Sequence, residues 1–584
     1  MNLKFNNAIF SLLALFSLAV VNACQPEEKD PDYPALKTQF ASDAFDVEAG
    51  GTISLPFAVT GVEGSELSLE ASASSAEVQV SVKADIYYQG TVELVAPAVT
   101  SGEKVSVSLK VTDAAHKREA SAQTTVNIGA SEPLAIALKD EIRSVAVKPS
   151  GSFELRFVVS GSDNVNVSDK VDFELSSGYK ADCTWDADKK GGVIKVTAPS
   201  ALGESFSMKM TITDDHSRSA ELSATIKVVA VTNTAGAANC YVVKPGSTLT
   251  IQAVEGNSQD EVELDNAVLL WQDCQSLVKS VSAGDGVVVV ELNPGLSGNA
   301  VVAAKKDGKI GWSWHLWVTD CDLEASAFVY TSSATNITYT MLDRNLGAMS
   351  GEKYSPDSFG LLYQWGRKDP FIGGNGVLSL APVKIYDIDN KEIYHETEQR
   401  PTYDDKTSTN IRVAVENPMV FYTAPQSAWP VVDWLTDKAA LQDNDLWGGV
   451  SNVKTKYDPC PEGWAVPESG DLWSFRKEYK KTGNLNDNGK YDPSRPWYIE
   501  YDDEYCIGFR YKQSDGKEYW FPFSGNRQSN SGELYGIGGS GDCWTRNVSA
   551  TTALMQIFAW GNPASESTLN RPYGASIRCV KEAK

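Results

Sequence analysis

The sequence has 584 residues, a formal net charge of −24, and 42% hydrophobic and 22% charged residues. This length predicts several domains, and the composition is that of globular protein with real cores. The negative charge argues against nucleic acid as a partner, because phosphates would repel the chain. Only four histidines occur, scattered over different segments, so a multi-histidine metal site is not expected, and neither is a cofactor.

The N-terminus has the pattern of an exported lipoprotein. Lys4 gives a weakly positive start, residues 8–21 form a largely apolar run, and VNAC at 21–24 resembles a lipobox. We therefore predict a signal peptide over residues 1–23 and acylation of Cys24, for example with palmitate, which would anchor the chain in the outer membrane. An ordinary signal peptide with an incidental cysteine is the alternative.

Residues 24–38 are expected to form an acidic tether. The run QPEEKD at 25–30 resembles the export signal of Bacteroidota lipoproteins, and this resemblance implies a position on the outer face of the outer membrane. A short solvated acidic linker is the alternative. No later segment offers about 20 uninterrupted apolar residues, so a further membrane span is not expected.

Two similar units of about 100 residues follow. GGTISLPF at 50–57 recurs as SGSFELRF at 150–157, and VSVSLKVTD at 105–113 is echoed by FSMKMTITD at 206–214. Period-2 alternation with turn residues every 8–12 positions predicts two immunoglobulin-like β-sandwiches. These units cover residues 39–130 and 131–231.

A third β-sandwich is predicted over residues 232–321, and all three units are interpreted as a spacer. Its last strand, GWSWHLWVTD at 311–320, places Trp312 and Trp314 on one face. We expect this face to pack against the domain that follows; a platform for stacking sugars is the alternative. The unit resembles a module that precedes the C-terminal domain in fimbrillin-like surface lipoproteins.

The composition changes after Cys321, because ten of the fifteen tryptophans lie in the last part of the chain. Five blocks occur there in order: LDRNLGA at 342–348, GLLYQWGR at 360–367, DPCPEGWAVP at 458–467, WFPFSGNR at 520–527 and GASIRCV at 574–580. Together they resemble the Fibrobacter succinogenes major paralogous domain, a family related to the C-type-lectin-like and formylglycine-generating-enzyme folds. The resemblance implies an α+β, C-type-lectin-like domain over residues 322–584.

The third block belongs to a rigid stretch, residues 457–467, with three prolines and a glycine. We call it the clasp. An apolar helical pattern follows it, with Ser469 as the expected N-cap. Because this type of fold brings distant parts of the domain together at its closing strand, the resemblance implies a disulfide between Cys460 and Cys579. A bond between Cys506 and Cys543 is a further candidate, and buried free thiols remain the alternative.

Catalytic and metal motifs are not recognised. The domain has no G-x-S-x-G turn beside a histidine, and the acids at 502–504 have the pattern of a solvated face. NLNDNG at 484–489 partly imitates a calcium loop, but its first position is Asn and the acid expected at its twelfth position is Arg495. An Asn-Gly turn is therefore the better interpretation, and we predict neither an enzyme nor a metal site.

The remaining expectation is a binding face. In C-type-lectin-like folds ligands are commonly bound by the loops before the last strand, here residues 536–573. Aromatic, arginine and asparagine side chains in that segment are typical of recognition surfaces. The candidate residues are Trp544, Arg546, Asn547, Phe558, Trp560, Asn562, Asn570 and Arg571. Core positions for Trp544 and Trp560 are the alternative.

These observations predict a lipid-anchored surface adhesin, in which a lectin-like domain on a β-sandwich stalk binds a glycan or a protein. A fimbria-associated accessory or tip subunit is one alternative. A surface hydrolase acting on glycosides is the other.

Overall fold

The fold was obtained as a computed structural model. It describes residues 33–63, 66–231, 234–331, 338–376, 381–400, 406–425, 430–469, 497–500, 508–512, 516–559 and 562–582, with backbone alone at 497–500 and 562–565. Several expectations concern positions outside this part of the chain and stay predictions: the signal peptide, Cys24, the helix after Ser469, the turn at 484–489, the acids at 502–504, Cys506 and Trp560. Among the described helices, none is long and apolar enough to cross a membrane.

The described chain is mostly β-sheet, as the alternating patterns predict, and it divides into two compact units. The first unit consists mainly of the residues up to Leu134. The second contains nearly all the rest, including the second and third predicted sandwiches and the C-terminal domain.

The first sandwich pairs two four-stranded sheets around an apolar core that includes Leu55, Val92 and Leu109. One sheet consists, in spatial order, of Lys37–Phe40, Thr52–Thr60, Gly90–Val95 and Gln79–Ala84. The other consists of Ala44–Val47, Arg118–Ile128, Glu103–Asp113 and Ser68–Ala73. The alternation of buried and exposed residues along these strands is the period-2 pattern seen in the sequence.

The second and third sandwiches are joined by one eight-stranded sheet. Its strands, in spatial order, are Asp172–Leu175, Ser205–Thr213, Ser219–Ala230, Ser144–Val147, Val278–Gly284, Val287–Leu292, Thr248–Gln252 and Thr234–Ala235. The junction is a parallel pairing of Val145 with Ala283, beside which the Ser144 hydroxyl donates to the Val281 carbonyl at 2.8 Å. The opposite sheet of the second sandwich holds Lys180–Trp185, Gly191–Thr197, Ser152–Ser160 and Ala135–Leu138. These two modules are therefore continuous rather than separate spacers.

The third sandwich shares its other sheet with the C-terminal region. This sheet runs Cys240–Val243, Lys309–Val318, Gly298–Lys306, Asn266–Gln272, Ile385–Tyr386 and Glu392–Ile393. The last two strands form a hairpin from the C-terminal region, paired through Tyr386 to Gln272. The hairpin links the two regions by backbone hydrogen bonds as well as by packing.

The tryptophan face of Lys309–Val318 is buried. Trp312 and Trp314 are each 1% exposed. The Lys368 ammonium lies 4.6 Å from the centroid of the Trp312 ring, and the Tyr457 ring lies 5.9 Å away. This face packs against the domain that follows, as expected, and does not offer a platform for sugars.

The C-terminal region is built from short strands with few helices. Its longer described strands are Phe328–Thr331, Thr338–Met341, Glu396–Gln399, Val420–Thr423, Trp497–Glu500, Gly508–Lys512, Glu518–Pro522, Ser540–Ser549, Thr552–Ala559 and Asn562–Leu569. Two-residue strands occur at Tyr363–Gln364, Trp464–Ala465, Asn526–Arg527, Leu534–Tyr535, Gly574–Ala575 and Val580–Lys581. The described α-helices are Leu323–Ser326 and Thr407–Glu416.

The first and last strands of this region meet in one sheet. Met341 pairs with Val580, and Ala465 of the clasp pairs with Val580 from the other side. The sheet order is therefore Phe328–Thr331, Thr338–Met341, Val580–Lys581 and Trp464–Ala465. Residues that are far apart in sequence are brought together at this closing strand.

Candidate functional site

The clasp is bonded covalently to the closing strand. Cys460 and Cys579 form a disulfide with an S–S distance of 2.08 Å, as the family resemblance implied. Cys543 is a buried free thiol whose pKa is raised to about 12 by burial. Its predicted partner, Cys506, lies outside the described residues.

Two buried side chains hold the clasp in shape. The carboxylate of Asp458 accepts hydrogen bonds from the backbone N–H groups of Cys460 at 2.8 Å and Val466 at 2.9 Å. The Lys454 ammonium donates to three carbonyl oxygens of the same stretch. These bonds satisfy backbone groups that a loop with three prolines leaves without secondary-structure partners.

Burial raises the pKa of Asp458 to about 6, against the opposing effects of Lys454 and the two N–H donors. The folded state binds the Asp458 proton more tightly than the unfolded state. Protonation of this carboxyl therefore stabilises the fold fully below about pH 4, and this stabilisation is lost as the pH rises through 6. The loss should be about 2–3 kcal/mol. We expect the stability gap between wild type and Asp458→Asn, measured by denaturant unfolding, to shrink by this amount from pH 4 to pH 7. A stability gap that does not change with pH would contradict this prediction.

A cavity of about 610 Å³ lies along the clasp and the closing strand. We call it the clasp groove. Hydroxyl, amide and charged side chains line it, with apolar surface between them. Its principal polar residues are Tyr339, Asn452, Glu468, Arg546, Lys581 and Glu582.

The charges of the clasp groove are paired. Arg546 forms an ion pair with Glu468, Lys581 forms one with Glu324 outside the groove, and the Lys454 ammonium lies 3.6 Å from Glu582. The Nε of Arg546 is buried and makes no hydrogen bond within the described part of the chain. Because this nitrogen is shielded from solvent, a ligand oxygen in the groove can accept from it only if the Arg546 side chain shifts towards the groove.

One of the predicted binding residues lines this groove, and a second is its neighbour in sequence. Arg546 lines it, and its backbone N–H donates to the Pro467 carbonyl at 2.9 Å. The side-chain oxygen of the neighbouring Asn547 accepts from the Ser469 N–H at 2.8 Å. Both residues therefore fix the chain where it leaves the clasp.

Three other predicted residues are core residues. The indole N–H of Trp544 donates to the Tyr363 carbonyl at 2.7 Å, and the ring is fully buried. Phe558 packs 5.0 Å from Phe521 between ring centroids. Arg571 is 1% exposed, with its guanidinium 4.6 Å from the centroid of Trp365. These side chains cannot contact a ligand at the surface.

The segment expected to form loops is instead largely a three-stranded antiparallel sheet. Its strands are Ser540–Ser549, Thr552–Ala559 and Asn562–Leu569. The register places Trp544 and Phe558 on opposite faces, and each packs into a different apolar core, so both faces are covered at this point. Asn570 is half-buried in the turn after the last of these strands, where its carbonyl accepts from the Tyr573 N–H. The side chain of Asn562 is not among those described.

The sequence analysis missed most of the groove's lining. Glu468 directly follows the clasp, so its position offered a signal. Tyr339 and Glu582 offered none, because they belong to opposite ends of the domain and meet only through the pairing of Met341 with Val580.

A second, smaller cleft of about 340 Å³ lies between two ion pairs, Asp343 with Arg344 and Arg510 with Glu518. Trp520 forms part of its lining and is 2% exposed. Since the cleft balances acidic and basic groups, it offers no site for a strongly charged ligand.

No protein-family model and no curated protein matches the chain. Solved structures that resemble parts of it include a chimeric titin Z1Z2 carrying an exogenous peptide from decorin (18% identity, 34% of this chain, 97% of that chain, TM-score 0.18). Another is SGBP-B of the Bacteroides ovatus mixed-linkage glucan utilization locus, in complex with a mixed-linkage heptasaccharide (13%, 52%, 70%, TM-score 0.14). A third is the human desmocollin-1 ectodomain (10%, 53%, 66%, TM-score 0.19). At these TM-scores none of them carries an inference about this chain.

Proposed function

We propose that the chain is a lipid-anchored surface adhesin whose C-terminal domain has a C-type-lectin-like fold and binds a glycan in the clasp groove. The meeting of the first and last strands, tied by the disulfide between Cys460 and Cys579, supports this fold. Acylation of Cys24 and the acidic run that follows it account for the location on the outer face of the outer membrane.

The observation that carries the binding proposal is the arrangement at Arg546. Its side chain lines a cavity large enough for an oligosaccharide segment, and its buried Nε has no partner in the described chain. Glu468 fixes the guanidinium by an ion pair, so little side-chain entropy is lost when a ligand hydroxyl accepts from it. Tyr339 adds an aromatic ring, and Asn452 adds an amide that can both donate and accept.

Binding should be measured on a glycan array with the complete chain. The fragment 322–584 is unsuitable, because it lacks Trp312, which packs against Lys368, and the strand Asn266–Gln272, to which the hairpin of Tyr386 pairs. We expect Arg546→Ala to weaken binding of an array ligand roughly 10- to 100-fold, since a charge-assisted hydrogen bond contributes about 1.5–3 kcal/mol. Arg412→Ala is the matched control, because Arg412 is 70% exposed on the helix Thr407–Glu416.

Three outcomes would count against the proposal. Failure to bind any glycan or mucin removes the lectin function, and capture of fimbrial subunits instead would favour a fimbria-associated role. Turnover of a bound glycan, abolished by replacing one acid such as Glu468, would favour a hydrolase. Protease treatment of intact cells tests the location, since complete protection of the chain would contradict exposure at the cell surface.

A further inference from the structure

The most exposed large apolar side chains in the described chain are neighbours in sequence. Ile86 is 83% exposed and Tyr87 is 68% exposed. They form the tip of the hairpin between Gln79–Ala84 and Gly90–Val95 in the first sandwich. Single exposed apolar residues are ordinary, but two together at a hairpin tip form a surface that water solvates poorly.

The hairpin presents this tip rigidly. One carboxylate oxygen of Asp85 accepts from the N–H groups of Tyr87 at 2.7 Å and Gln89 at 3.0 Å. Tyr88 adopts a φ of 59°, which is unfavourable for a residue with a side chain, and its hydroxyl accepts from the Leu67 N–H. A strained turn held by this many bonds is preorganised for contact.

The tip lies at the end of the sandwich where the chain enters. The Gln89 amide donates to the Val59 carbonyl at 3.1 Å, and Val59 pairs with Thr38 of the first strand. The entering chain is fixed at the same end, because the Tyr33 ring lies 3.8 Å from the ring of His116 and the Arg118 guanidinium donates to the Pro34 carbonyl.

Only eight residues, 25–32, lie between Cys24 and Tyr33. Such a segment spans at most about 30 Å even when fully extended. If Cys24 carries the lipid, which is part of the proposed function, the hairpin is confined to a thin layer above the bilayer. A weak affinity then suffices for a high occupancy, because the tether makes the contact intramolecular.

We propose that Ile86 and Tyr87 insert into the headgroup–acyl boundary of the membrane that anchors the chain. Ile86 supplies apolar surface, and Tyr87 has the amphipathic ring that is enriched at membrane interfaces. Asp85 and the acidic tether give no attraction to anionic headgroups, so the contact depends on apolar insertion into the anchoring membrane and on the tether. The contact would set the tilt of the first sandwich against the membrane.

The test uses residues 24–584 with an N-terminal hexahistidine tag, bound to phosphatidylcholine vesicles that contain a nickel-chelating lipid. This attachment reproduces the tether whether or not Cys24 is acylated in cells. A phosphatidylcholine with a photoactivatable group near its acyl carbonyl is then crosslinked, and adducts are located by mass spectrometry. We expect adducts on the tryptic peptide 84–104, reduced about 10-fold in Ile86→Ser/Tyr87→Ser.

Tyr394→Ser is the matched control, since Tyr394 is 67% exposed elsewhere in the chain. It should leave the adducts on peptide 84–104 unchanged. Vesicle-bound chain without adducts on this peptide, or equal adducts in the Ile86→Ser/Tyr87→Ser variant, would overturn the inference. Incorporation of labelled palmitate at Cys24 is measured separately in cells, so failure of the anchor is distinguished from failure of the contact.

Discussion

Replacing both Cys460 and Cys579 by serine is expected to lower the free energy of unfolding of the C-terminal domain by about 5 kcal/mol. The bond joins residues 119 apart in sequence, and closing a loop of that length removes much of the freedom of the unfolded chain. It also aligns the pairing of Ala465 with Val580, and both residues line the clasp groove. Denaturant unfolding at pH 7, with hydrogen exchange to assign the affected segments, measures both effects.

Cys183→Ser is the control for the loss of a thiol. Cys183 is a half-buried free cysteine in the second sandwich, so its replacement should change the free energy of unfolding by less than about 1 kcal/mol. Dithiothreitol should bring the wild type to the level of the double variant and leave that variant unchanged. Equal unfolding midpoints for wild type and double variant would show that this bond does not stabilise the domain.

The sequence predicted those parts of the fold that depend on local pattern. The repeat that begins at residues 50 and 150 forms corresponding strands, Thr52–Thr60 and Ser152–Ser160, since period-2 alternation needs no distant partner to be read. The joined sheet was not predictable, because it depends on one parallel pairing between Val145 and Ala283. The hairpin at Ile385–Tyr386 was missed for a similar reason, since two-residue strands leave no periodic signal.

At the candidate site, too, the sequence predicted what depends on local pattern and missed what depends on long-range pairing. Arg546 was recognised by its residue type beside aromatic residues, and it does line a cavity. Trp544 belonged to the same pattern but is buried, because both faces of Ser540–Ser549 are covered over residues 541–545, and its indole N–H bonds to the Tyr363 carbonyl. Composition indicates that aromatic and charged groups are present; long-range pairing decides which of them reach solvent.

Asp369→Asn is expected to destabilise the chain by about 3–5 kcal/mol at pH 7. The ammonium of Lys368 is 2% exposed and lies 2.6 Å from the Asp369 carboxylate, which also accepts from the Ser313 hydroxyl at 2.6 Å. Ser313 belongs to the third sandwich, whereas the ion pair belongs to the C-terminal region. Removing the carboxylate would leave a buried ammonium with only neutral partners, and the cost would fall on the junction of the two modules.

The destabilisation caused by Asp369→Asn should depend on pH in a defined direction. Burial already lowers the pKa of Lys368 below its usual value of 10.5, and loss of the carboxylate should lower it further. The unfolded state then binds the proton more tightly than the folded state, so the deficit of Asp369→Asn should shrink as the pH rises towards 10. A deficit that grows over this range would contradict the assignment of a charged Lys368 in the wild type.

Two further variants separate the buried pair from a general effect of charge. Lys368→Met/Asp369→Leu should recover most of the loss, because apolar replacement of both partners removes the desolvation cost. Lys384→Ala removes a largely exposed partner of Glu392 and should cost less than about 1 kcal/mol.

In Asp369→Asn, hydrogen exchange should show Lys309–Val318 and Val420–Thr423 losing protection together, because the third sandwich and the C-terminal domain share one core. Separate loss of protection would mean that the two modules unfold independently despite their common sheet.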